Sequence, residues 1–195
     1  MMLSSCPEFT LAAKFPEGAA ISWGGRTISW VAMNNYVHST SRYLKEIALK
    51  KNDRVIVVRD PSPAFYITVL ALWRIGARVC SVAADVPDTE VMSVLCAVDP
   101  DFVICSRSAK KTWVKGLRYA DIEHVVAYGY NDSFLGSEAA LDPKVDLEHV
   151  AVLSPVPTSA GVVIQELTHA MLQTNAGEFS TLLQALMNGE TLVIA

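Results

Sequence analysis

Thr158, Ser159 and Gly161 are the residues of this chain whose types and spacing could do chemistry, and the chemistry would be phosphate binding. They lie between an apolar run, Val150–Leu153, and a helical pattern that opens at Leu167-Thr168-His169. A strand feeding a small-residue loop and then a helix presents backbone N–H groups to an anion. The hydroxyls of Thr158 and Ser159 could donate to phosphoryl oxygens, and Gly161 is the one glycine of this degenerate loop, which alone does not restore close backbone approach. Little else in the loop favours an anion. Between Ser154 and Thr168 there is no second glycine, no lysine and no arginine, and the charge present, Glu166, has the wrong sign. The competing reading is a plain strand-to-helix connection whose hydroxyls cap the helix.

Other reactive side chains are scattered. His169, early in the helical pattern, reads as pocket lining or as a structural residue held by local hydrogen bonds. Cys80, Cys96 and Cys105 sit inside apolar runs and read as small core residues. Together with Cys6 they form no C-x-x-C pair, and no histidine stands at zinc-ligand spacing. The loop Asp60-Pro61-Ser62-Pro63 follows a strand, where α/β clefts lie. No metal site and no catalytic residue is expected.

Composition narrows the function classes. The 195 residues are 51% hydrophobic and 18% charged, with a net charge of −4. An acidic balance argues against nucleic acid as the main partner. Lys110-Lys111 and Lys115 read as a solvated face. No run reaches the ~18–20 apolar residues of a membrane span. The N-terminus lacks the basic and apolar regions of a secretory signal, so a reduced cytoplasmic location is expected.

The elements that must position the loop follow from periodicity and turn residues. Pro7–Phe15 reads as a short helix ended by Pro16. Ala19–Trp23 and Arg26–Ser29 flank Gly24-Gly25 as a hairpin. Ser29 is a natural N-cap for a helix over Trp30–Lys51. Arg54–Val58, Ala77–Val82, Phe102–Cys105, His124–Tyr128 and Val150–Leu153 read as strands. Ala64–Ile75, apolar nearly all round, reads as a buried helix closed by Gly76. Thr89–Val98 is another helix, Trp113–Tyr119 is ambiguous, and Tyr130–Asp146 is the longest loop. This alternation predicts an α/β fold: a mostly parallel sheet of about five to seven strands with helices on both faces. Residues 1–195 form a single domain, with a helix and hairpin in 1–30 and the α/β core in 31–195.

Read in order, these residues resemble the N-terminal region of the adenylate-forming superfamily: acyl- and aryl-CoA synthetases, peptide-synthetase adenylation domains and firefly-type luciferases. The resemblance runs through Pro16 with Ala19-Ala20-Ile21, Thr27–Trp30, Asn52–Val55, Val69–Ala77 and Val86-Pro87-Asp88 with Glu90 and Leu95. It aligns Thr168-His169 with the family's Thr-His and Pro155–Ile164 with its phosphate loop, T-S-G-[ST]-T-G-x-P-K-G. On that alignment Pro157, Ala160 and Ile164 replace glycines and Val163 replaces the lysine. A strand and histidine segment after Asn175-Ala176 reads as deleted, and the chain reads as truncated before the family's later motifs. The resemblance therefore implies a non-catalytic relative acting as an interaction or accessory protein, with weak or absent ATP and AMP binding. Half of a split acyl- or aryl-AMP ligase, and a small-molecule binder using a remnant cleft, are the alternatives. A protein partner or homodimer is expected, seated on Phe179–Ala195 through Leu182, Leu183, Leu186, Leu192, Val193 and Ile194. The competing reading has those residues complete the core as a last helix and edge strand.

Overall fold

A computed structural model describes residues 3–59, 62–105, 125–127, 144–174 and 177–194. Its centre is a six-stranded sheet. Four parallel strands carry it: β4 (Arg54–Arg59), β5 (Arg78–Ala83), β6 (Phe102–Cys105) and β7 (Val125–Ala127). Beside β5 lies β9 (Val150–Thr158), also parallel, and β10 (Gly161–Thr168) closes that edge antiparallel to β9. The order is β10-β9-β5-β4-β6-β7, so the strands expected at Arg54, Ala77, Phe102 and Val150 do lie side by side.

Alternation along β4 explains why these strands are apolar throughout. Val55 and Val57 join a core with helices α2 (Trp30–Glu46) and α3 (Pro63–Ile75). Ile56 and Val58 face the opposite side, where α4 (Asp88–Val98) packs through Val91, Val94, Leu95 and Val98. A strand covered on both faces has no solvent side on which to place polar residues. Helix α3 packs on the sheet, on α2 and on the last helices, so nearly every face of it is buried.

The first part of the chain builds a smaller sheet. Helix α1 (Pro7–Lys14) precedes β2 (Ala19–Trp23) and β3 (Arg26–Ser29), a hairpin whose turn residues Gly24 and Gly25 both have positive φ. The last strand, β11 (Leu192–Ile194), pairs parallel with β2. Residues distant in sequence thus share one sheet, and Leu11, Ile21 and Trp30 belong to the same core as α3. A third, two-stranded pairing joins β1 (Leu3–Ser5) to β8 (Lys144–Asp146).

Several expectations are corrected. The helix from Trp30 stops at Glu46, not Lys51. Ala48 takes φ +69, its N–H bonds Lys45 O, and the Leu49 N–H bonds Leu44 O. These two bonds form a Schellman stop, here with alanine where glycine is usual. Ser29 does cap the start, accepting from the Ala32 N–H at 3.4 Å. Cys96 is exposed on α4, while Cys6, Cys80 and Cys105 are buried. Of the segment Phe179–Ala195, expected to seat a partner, Phe179, Leu182, Leu183, Leu186 and Ile194 are buried in the core instead. Helix α5 (His169–Leu172) leads toward α6 (Glu178–Asn188), whose Leu182, Leu183 and Leu186 point into the main core. Val193, by contrast, is 75% exposed. The ambiguous segment Trp113–Tyr119 and the lysines at 110, 111 and 115 lie outside the described residues.

Candidate functional site

The sequence places a loop from Ser154 to Glu166; the structure forms a hairpin there instead. β9 runs on to Thr158, and β10 begins at Gly161. The reason lies in the β-branched residues Val156, Val162, Val163 and Ile164, which favour extended backbone. Pro155 and Pro157 are two apart, so both missing donors face the same edge of β9. The ladder to β10 continues through both residues, and β5 registers with β9 at Val152, before either proline. Proline in a strand is tolerated when no ladder partner needs its N–H.

Thr158, Ser159 and Gly161 do come together, at the tip of this hairpin, and all three are exposed. Past its pairing with Val79 and Val152, β5 continues four residues to Ala83, whereas β9 continues six to Thr158. The tip therefore stands just beyond the carboxyl ends of the parallel strands, where ligands of open α/β sheets bind. Its polar groups, however, are engaged locally. The Thr158 hydroxyl donates to Gly161 O at 2.9 Å and accepts from the Ala160 N–H at 3.3 Å. Gly161 has φ +130 with open space around its Cα, so its use is to close the turn. Val163, where the resemblance has lysine, is an exposed apolar side chain. At the carboxyl end of β4, Arg59 is engaged as well, pairing with Glu178 at 3.0 Å. Arg78, at the opposite, amino end of β5, lies 3.7 Å from Glu166. Tyr66 has its pKa raised, first by burial and then by Glu178, with Arg59 opposing.

A second polar cluster, which the sequence reading missed, is buried between helices. Arg74, in the last turn of α3, donates from Nη2 to Glu8 Oε1 at 2.7 Å and to Asn34 Oδ1 at 2.9 Å. The Arg74 and Glu8 side chains are only 6% and 2% exposed. The pair therefore ties α1 and α2 to α3. Its sequence signal was a single cation in the otherwise apolar run Ala64–Ile75. Such a charge must leave the core or find a partner within it.

His169 lies against this cluster, edge-on to Trp73 with ring centroids 5.3 Å apart. Against the expectation of a residue held by local hydrogen bonds, its Nε2 is buried without a partner. Burial, followed by the neighbouring His149, lowers its pKa to about 4, against a smaller opposing pull from Asp146. The Trp73 indole donates to Ala151 O at 3.2 Å, which fixes the ring on which His169 rests. Beside these residues is a cavity of about 80 Å³ between α1, α3, α5 and α6, whose wall includes Arg74, Trp73 and His169. Cys80, on β5, is no nucleophile at neutral pH: burial pushes its thiol up to about 12. Among the described residues no group of three or more His, Cys, Asp or Glu could hold a metal ion. No described helix is long and apolar enough to cross a membrane.

The parallel sheet, the helices on both faces and the hairpin beyond its carboxyl edge define the N-terminal subdomain of adenylate-forming enzymes. The chain belongs to the AMP-binding enzyme family, whose model matches residues 9–160. Among solved structures it is similar to the luciferase-like enzyme of the nonluminescent mealworm Zophobas morio. That likeness has a TM-score of 0.80 at 15% identity, covering 96% of this chain and 53% of the other. It is likewise similar to the N-terminal subdomain of Klebsiella oxytoca NpsA, with a TM-score of 0.77 at 19% identity, over 100% of this chain and 56% of that one. The unliganded o-succinylbenzoate CoA synthetase of Bacillus subtilis gives 0.76 at 16%, over 98% and 44%. A curated relative is N-(5-amino-5-carboxypentanoyl)-L-cysteinyl-D-valine synthase of Amycolatopsis lactamdurans. It is 24% identical over 113 residues, which are 57% of this chain and 3% of that protein. The chain thus spans about half the length of the structures it matches and a small part of the curated relative.

Proposed function

We propose that this chain is a non-catalytic member of the AMP-binding family that works by associating with another protein of an acid-activating pathway. One observation carries the reading. At the hairpin tip the Thr158 hydroxyl is already used as both donor and acceptor, and the neighbouring exposed position is Val163 rather than a cation. A triphosphate needs charge and free N–H donors at the place where it is bound. This tip offers neither the charge nor a set of several glycines. The similarity to a peptide synthase and to acid–CoA ligases supports an acid-activating setting for the partner. The working surface, on this reading, is the protein surface rather than the tip.

The test is pyrophosphate exchange by the full chain with a panel of aliphatic, aromatic and amino acids, together with calorimetry against Mg-ATP. The expected outcome is exchange at the blank level and no tight ATP binding. Exchange clearly above blank that disappears in the double variant Thr158→Ala, Ser159→Ala would overturn the proposal.

The second reading is one half of a split acyl- or aryl-AMP ligase completed by another chain. This chain spans 44–56% of solved enzymes and subdomains of the same fold. A separate chain supplying the remainder would make this one half of a split ligase. Exchange activity that is absent in the isolated chain and appears with a co-purified partner would select this reading over the first.

A further inference from the structure

We propose that β10 is a dimerisation edge: two copies of this chain pair their β10 strands antiparallel about a two-fold axis at Ile164, which joins their central sheets into one. The proposal goes beyond the reading of the hairpin given above and does not rest on it.

The argument begins with the two edges of the hairpin. Pro155 and Pro157 have no N–H, so the ladder between β9 and β10 must bond through the alternate pairs Val156–Val163 and Thr158–Gly161. Val162, Ile164 and Glu166 therefore turn their N–H and C=O groups to the outer edge. β10 ends the strand order of the central sheet, and none of its eight residues is buried. Among the described residues no strand pairs with that outer edge. Edge strands that stay unpaired are commonly short or carry proline or lysine. The β9 edge of the hairpin has two prolines, whereas β10 has neither residue type, and its only charge is Glu166.

The spacing of the outward residues fits a second copy. A two-fold axis at Ile164 sets that residue opposite the partner's Ile164, and Val162 opposite the partner's Glu166. Each of the three facing pairs then closes two backbone hydrogen bonds. An axis at Glu166 would set like charges face to face, which destabilises a pair of strands. An axis one residue from Ile164 would set Glu166 against the turn, or Val162 past the bulge between Leu167 and Thr168. With the axis at Ile164 the two Glu166 carboxylates are four residues apart along the strands, roughly 13 Å. That is beyond the screening length of about 8 Å at physiological salt. The pairing also covers apolar surface. Val163 is 56% exposed and its ladder neighbour Val156 is 39% exposed. Across the axis Val163 stands beside the partner's Gln165 and diagonal to the partner's Val163, on one face of the joined sheet. A single strand pair falls short of the roughly 1,200 Å² of stable interfaces. The expected dissociation constant is therefore on the order of 100 micromolar.

The experiment is sedimentation velocity of the full chain from micromolar to millimolar concentration, with reductant present so that the exposed Cys96 cannot cross-link two chains. A reversible monomer–dimer equilibrium is expected. Val162→Pro removes an outward N–H without touching the ladder to β9, and should weaken association about tenfold or more. Val162→Lys faces the partner's Glu166 and should strengthen it, although a lysine on an edge ordinarily discourages pairing. The register is read directly in a mixture of ¹³C-labelled and unlabelled chain. A contact between chains from Val163 Hα to Gln165 Hα is expected, because facing residues that do not bond each other lie closest. A monomer throughout would leave the edge to some other protein, and the proposal fails. A dimer that lacks the contact, is weakened by Val162→Lys, or is unchanged in a folded Val162→Pro variant would be joined elsewhere and overturn it equally. The contact in the unmodified chain decides the matter should either variant fail to fold.

Discussion

His169 carries a consequence for stability against pH. Its ordinary pKa is 6.5 and its folded value is about 4, so between these pH values the unfolded chain binds the extra proton. Stability from this residue is complete above pH 6.5 and is lost as pH falls toward 4, on the order of 3 kcal/mol in all. Urea midpoints between pH 7 and 4 should fall in the native chain and fall less steeply in His169→Gln. An equal slope in both would remove His169 as the cause. At the hairpin, Gly161 has φ +130 and open space where a Cβ would sit. Substitution by alanine therefore costs backbone strain alone, about 1 kcal/mol. Thermal denaturation of Gly161→Ala would show the loss; a neutral result would mean that the turn rearranges without cost.

At the scale of elements, the buried Arg74–Glu8 pair holds α1 to α3. Removing one partner leaves the other charge buried, so Glu8→Ala should cost about 3 to 5 kcal/mol, while Glu8→Leu with Arg74→Met should recover much of it. Urea unfolding of the single and double variants measures this, and additive losses would contradict a coupled pair. How far these elements were legible depended on what each one signals locally. The parallel strands announced themselves because burial on both faces demands continuous β-branched runs, as in Val55–Val58. The Ser29 cap and the Gly24-Gly25 turn were legible for a similar reason, since their chemistry lies in the residue itself. The hairpin at Thr158 was not, because Pro155 and Pro157 look like strand breakers until the missing partner on their edge is known. Nor was the end of α2 at Ala48, where tertiary packing of Leu49 outweighs the missing glycine. The candidate site residues were gathered correctly at one tip, but the sequence could not show that the Thr158 hydroxyl spends itself on its own turn. Arg74 and His169 belong to helices that meet only after folding, so no local pattern joined them.

For the whole molecule, α6 belongs to the core rather than to a free face. Leu182→Ala and Leu186→Ala should each cost about 2 to 5 kcal/mol without changing particle mass in light scattering. Val193→Glu should leave stability within about 0.5 kcal/mol, since that side chain is 75% exposed. A change in mass with the leucine variants at unchanged stability would return them to an interface. The pairing of β11 with β2 reaches further than packing. The Thr191 hydroxyl bonds Ala19 O across 172 positions of chain. A ribosome adding roughly 5 to 20 residues per second needs on the order of ten to thirty seconds to span that interval. For much of it, β2 stands outside the exit tunnel with one edge unpaired, open to another nascent chain on the same message. Synthesis order therefore seals this small sheet after the central sheet, although β2 and β3 are made before any strand of that sheet.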